Sequence, residues 1–134
     1  MKVQYRQGYK YQIATDFEFD TYVFPNRDIR TEYIRLSTDG KLWLKRGYCW
    51  DGASGIAVDT KNFMRGSLVH DALYQLIREG HLNRKVWKIK ADKELRRICI
   101  LDGMSKFRAW YVYRAVLMSD YLVSWKQRKI FFAP

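Results

Sequence analysis

Near residue 60 the hydrophobic pattern changes its period, and that change confines the chain to an α+β fold. Upstream, apolar residues alternate with polar ones, as in strands that bury one face. Tyr9, Tyr11 and Ile13 alternate with Lys10 and Gln12, and Phe17 and Phe19 flank Glu18. Residues 33–37 and 41–45 stand either side of Thr38-Asp39-Gly40, where Asp-Gly tolerates the positive φ of a tight hairpin. Pro25-Asn26-Arg27-Asp28 marks a further turn. Downstream the spacing becomes helical. Asn62 is the expected N-cap of a first helix over about 63–78, stopped by Gly80. Asn83 opens a second helix that ends near Gly103, although Arg84, Lys85 and Lys88 oppose the macrodipole and argue for a later start. Ser105 begins a third helix towards Tyr121. The expectation is one domain over 1–134: mainly strands over 1–60, helices over 61–122, and a basic aromatic tail over 123–134. A small antiparallel sheet then packs against three helices.

The first helix carries the sharpest anomaly. Projected at 100° per residue, Phe63, Met64, Leu68, Val69, Ala72, Leu73, Tyr74, Leu76 and Ile77 cover nearly its whole circumference, as in a central, buried helix. His70 and Asp71 are set into that apolar surface and need partners, because an unpaired buried polar group costs about 1–3 kcal/mol. Neighbours on a helix point about 100° apart, so the two are not expected to pair with each other. Tyr74 shares a face with His70. On the second helix Asp92 lies at the edge of the apolar face formed by Ala91, Leu95, Ile98 and Cys99. Asp51, in the stretch GYCWDGASG at 47–55, is a fourth candidate. These residues either line a cleft for acid–base or divalent-metal chemistry, or form a satisfied polar network that fixes the 47–55 corner on the helices. One imidazole with several carboxylates suits Mg²⁺ or Mn²⁺ better than Zn²⁺. Ser54 lacks the G-x-S-x-G elbow and is not expected to be a nucleophile.

Charge points outward from this group. The net charge of +11 is nearly all in the second half: residues 1–60 hold 9 Lys/Arg against 8 Asp/Glu, and residues 61–134 hold 16 against 6. Such a half favours an anionic partner, whether nucleic acid, cell-wall polymer or acidic protein. Lys90, Lys93 and Arg97 are spaced to make one outward basic stripe, and Trp125, Lys126, Arg128 and Lys129 mix cations with an aromatic in the tail. The tail's plain alternative is a last strand. Ten tyrosines and five tryptophans exceed the needs of a small core, so some rings are expected at the surface. Phe107, Trp110 and Tyr111 with the tail suggest membrane-surface contact, but that face of the third helix is expected to pack on the core. Cys49 and Cys99 form no CxxC pair, which excludes a zinc knuckle and a redox motif and suits buried thiols in a reducing cytosol. The longest apolar tract, 109–118, is broken by Arg114 and too short to span a bilayer. With no signal-like segment, synthesis and folding in a host cytoplasm are expected.

Tyr48-Cys49-Trp50-Asp51-Gly52-Ala53-Ser54, then His70-Asp71-Ala72-Leu73-Tyr74, then Ala91-Asp92 with Gly103, resembles a family of small uncharacterised phage and prophage proteins. In place of the family's proline after the turn, Gly55-Ile56-Ala57 follow. The resemblance covers roughly residues 40–105 and implies a phage or prophage origin and a small α+β fold, with no established reaction. It places the family's motif on Asp51, Ser54, His70, Asp71, Tyr74 and Asp92. Two functions follow as expectations. One is a hydrolase of a phosphoester, peptide or cell-wall bond, with Asp51, His70, Asp71, Asp92 and Tyr74 in its site. The other is a non-enzymatic phage component that binds a virion, nucleic acid or host protein through the basic stripe and tail.

Overall fold

The computed structural model describes residues 3–5, 11–52, 60–123 and 131–133. Its fold is α+β, with strands in the N-terminal half and three C-terminal helices. The largest sheet has four antiparallel strands in the order β3-β6-β5-β4: β3 (Phe17–Asp20), β4 (Ile29–Arg30), β5 (Ile34–Leu36) and β6 (Lys41–Leu44). The Asp-Gly hairpin is its centre, with Leu36 opposite Leu42 and Ile34 opposite Leu44. All four of these side chains are fully buried, so the alternation in sequence is the alternation of the pleat. Gly40 holds the turn at φ +88°, and a Cβ there would come within 2.5 Å of the Thr21 carbonyl. Both the dihedral and the close approach demand glycine.

The single expected sheet is divided. β2 (Tyr11–Gln12) pairs with β7 (Cys49–Trp50) in a separate antiparallel ladder, because the chain turns at residues 45–48 between β6 and β7. β1 (Val3–Tyr5) pairs with β8 (Phe131–Ala133), so the end of the expected tail is a strand. Trp125, Lys126, Arg128 and Lys129 lie outside the described residues, as does Ser54.

The helices are α1 (Lys61–Arg78), α2 (Arg84–Leu101) and α3 (Lys106–Val123). The N-cap of α1 is Thr60, not Asn62; Thr60 is extended at φ −94° and ψ 162°, and its hydroxyl turns to Asn62 instead of capping. α2 begins where Asn83 places it, with the Asn83 Oδ1 accepting the Lys85 N–H at 2.9 Å. The cap thus overrides the unfavourable cations of the first turn. Ser105 Oγ accepts the Arg108 N–H at 3.1 Å at the head of α3.

α1 is the central helix. One side packs Leu68, Val69, Ala72, Leu73 and Leu76 on the sheet residues, and Phe63 packs with Leu95, Cys99, Met104, Ala109, Val112 and Val116 of the helical layer. Gly66 lets α1 and α2 approach closely: a Cβ there would lie 2.9 Å from Cys99 Sγ and 3.3 Å from the Leu95 carbonyl. Cys99 is fully buried at this crossing, and burial pushes its thiol pKa up to about 12. α3 buries the small side of its surface, Ala109, Val112 and Val116. Phe107, Trp110 and Tyr111, expected to pack on the core, face outward instead, at 76%, 48% and 56% exposure. Small residues permit close helix packing where bulky rings do not.

Candidate functional site

The inward polar residues of α1 and α2 meet. Asp92 is wholly buried, and its Oδ1 lies 2.7 Å from His70 Nε2. The Tyr74 hydroxyl, one turn further along α1, donates to the same oxygen, and the two rings sit 4.0 Å apart. Lys88, one turn before Asp92 on α2, donates from Nζ to Oδ2 at 3.1 Å. A buried carboxylate thereby receives three donors, two of them able to carry positive charge.

The cluster continues towards β7. His70 Nδ1 lies 3.9 Å from Asp71 Oδ1, and Asp71 Oδ2 accepts the Asp51 backbone N–H at 3.3 Å. Adjacency on the helix had argued against a His70–Asp71 contact; the side chains lean round the helix far enough to make an ion pair, though not a tight hydrogen bond. Asp51, His70, Asp71, Tyr74 and Asp92 therefore stand in one chain of contacts, Asp51 joining through its backbone. Two further bonds seat the corner on α1: Trp50 Nε1 donates to Ser67 Oγ at 3.0 Å, and the Tyr48 hydroxyl donates to Gln75 Oε1 at 3.1 Å. Gly52, at φ +71°, turns the chain just after Asp51.

Burial acts on His70 to lower its pKa, but the ion pair with Asp71 and the hydrogen bond and negative charge of Asp92 outweigh it and raise the pKa from 6.5 to about 9. The imidazole is thus an imidazolium at neutral pH, held between two carboxylates. His70 is 7% exposed, while Asp71 keeps 29% of its side chain in water. Two concavities on the sheet, one around Arg35 and Trp43 and one around Asp16 and Lys45, include no member of the cluster.

The expected Mg²⁺ or Mn²⁺ set of Asp51, His70, Asp71 and Asp92 does not fit a cation. Among the described residues no group of three or more His, Cys, Asp or Glu is arranged to hold a metal ion. The reason is chemical: the Asp92 oxygens already accept from His70, Tyr74 and Lys88, and Lys88 places an ammonium there. Lys88 is the member that the sequence reading missed. Its signal was present, since Lys88 and Asp92 are four residues apart on one helix.

The basic stripe needs a correction too. Lys90 and Lys93 are exposed, but Arg97 is half-buried and folded back. Its guanidinium donates twice to buried Glu94, at 2.9 and 2.7 Å, and lies 3.9 Å over the Tyr22 ring. Lys85 and Arg96 are the cations that extend the exposed face of α2. Arg96 lies 5.7 Å over the ring of Tyr113 on α3, so the two outer faces adjoin at this seam. Among the described residues, no helix is long and apolar enough to cross a membrane. Comparison with family models, curated proteins and solved structures returned no match.

Proposed function

We propose that this is a non-enzymatic binding protein that receives an anionic partner on the outer surface of α2 and α3. In this reading the His70–Asp92 cluster locks the helices that carry the surface. One observation carries it: among the described side chains of these two helices, every exposed charged residue is Lys or Arg. They are Lys85, Lys90, Lys93, Arg96, Lys106 and Arg114. The acids of α2, Asp92 and Glu94, are buried in ion pairs and leave the outer potential uncompensated.

The hydrolase expected from the same inward residues has less support. Both Asp92 oxygens are engaged within the cluster, and an imidazolium that keeps its proton to about pH 9 is a poor base at neutral pH. A place among phage or prophage components rests on the motif resemblance alone. The test is retention on phosphocellulose, followed by short single- and double-stranded DNA, across a salt series. Retention should fall steeply with salt, and the triple replacement Lys90→Glu, Lys93→Glu, Arg96→Glu should abolish it. Retention indifferent to salt and to these replacements would overturn the proposal.

A further inference from the structure

On α3 all the exposed described side chains but Lys106 form a single ridge. Phe107, Trp110, Tyr111, Arg114 and Met118 fall within an arc of about 100° on the helical projection. Met118 is 67% exposed, so with Phe107, Trp110 and Tyr111 the ridge presents four large apolar side chains to water. An apolar row of this size marks a docking surface. The opposite side of the helix already has its core contacts through Ala109, Val112 and Val116.

The chemistry of the ridge selects its occupant. A second copy of this chain would bring Arg114, Lys106 and the α2 lysines against their own kind, and no exposed acid on the described faces would pair with them. A nucleic-acid strand needs a row of cations to follow its phosphates, whereas the ridge itself holds only Arg114. A bilayer surface fits both halves of the pattern. Trp, Tyr and Phe settle at the headgroup boundary, and cations beside them meet anionic headgroups. The arc of α2 that joins the ridge at Arg96 and Tyr113 carries Lys85, Val86, Ile89 and Lys93, again cations among aliphatics.

We infer that α3 docks on an anionic lipid bilayer, its Phe107–Trp110–Tyr111–Met118 ridge lying in the headgroup boundary and the cations of α2 and α3 binding the lipid charges. This rests on the reading that the helical surface takes an anionic partner, and it names that partner. The helix lies along the surface and does not cross it.

Vesicle co-sedimentation of the full chain tests the inference. The protein should pellet with vesicles of phosphatidylcholine mixed with phosphatidylglycerol and stay in solution with phosphatidylcholine alone. The triple replacement Phe107→Ser, Trp110→Ser, Tyr111→Ser should lower partition about tenfold or more, and Lys93→Gln should lower it about fivefold. Because these side chains face water, circular dichroism and melting of the variants should match the parent. Binding to DNA or phosphocellulose without vesicle binding would overturn the lipid assignment and leave the anionic-partner reading standing. Binding to none of them would overturn both. Concentration-dependent dimerisation that the triple replacement abolishes, with no vesicle binding, would assign the ridge to a second copy.

Discussion

His70 and Asp92 lie buried between α1 and α2, each with a partner at hydrogen-bond distance, while Phe107 and Trp110 stand in water on α3 among cations. The two regions invert the usual rule of polar outside and apolar inside. In the interior, charge is tolerated because each group is matched: the imidazolium and the Lys88 ammonium face one carboxylate, and Asp71 faces the imidazolium from the other side. At the surface no carboxylate on the described outer faces of α2 and α3 pairs with the lysines; Lys90 instead lies 4.6 Å over the Trp87 ring, and Phe107 and Trp110 rest against each other. A matched interior holds two helices in one register, whereas exposed rings beside uncompensated cations are the features that the proposed partner would use.

The largest expected effect belongs to the interior. Asp92→Ala would leave His70, Tyr74 and Lys88 without their acceptor, and breaking a buried ion pair in this way costs about 3–5 kcal/mol. Urea unfolding should show the loss as a lower midpoint, and an unchanged midpoint would mean that the cluster does not hold α1 to α2. Next comes pH. His70 has a folded pKa of about 9 against 6.5 when unperturbed, so the folded state favours its protonated form. That stabilisation is complete below about pH 6.5 and is lost as the pH rises to about 9, up to about 3 kcal/mol in all. Unfolding of the parent at pH 6 and pH 9 should differ accordingly, and His70→Gln should remove most of the difference.

Gly66→Ala probes the same helix crossing without touching a charge. The added methyl meets Cys99 Sγ at 2.9 Å and the Leu95 carbonyl, and overpacking of this kind costs about 1–3 kcal/mol, partly offset by about 1 kcal/mol of helix propensity. A melting temperature that rises would show that the helices can move apart freely. The smallest effect should come from the surface. Trp110→Ser or Lys93→Gln should change stability by no more than about 0.5 kcal/mol while weakening partner binding. A large stability loss there would erase the contrast between the two regions.

The same contrast explains what was legible in the sequence. The β5–β6 hairpin was readable because Asp39-Gly40 and strict alternation on both sides agree. Convergence of Asp51, His70, Asp71, Tyr74 and Asp92 was readable because polar residues in an apolar helix must find one another. Their roles were not, since a metal set and an ion-pair network use the same residue types; the deciding member is Lys88, whose place near the start of α2 signals only a dipole penalty in the sequence. Orientation of α3 was illegible for a geometric reason. With apolar residues on both sides, periodicity does not say which side is core, and the smaller residues took that place. The β1–β8 pairing joins segments more than a hundred positions apart and leaves no local signal.

Cys99 gives the molecule an internal reporter. Its sulfur rests where Gly66 brings α1 and α2 together, shielded from solvent and held in the thiol form. A maleimide reagent reaches that sulfur only when the two helices separate. The rate of alkylation at Cys99, read by mass against the partly exposed Cys49, therefore counts how often α1 and α2 separate, whether by local opening or by global unfolding.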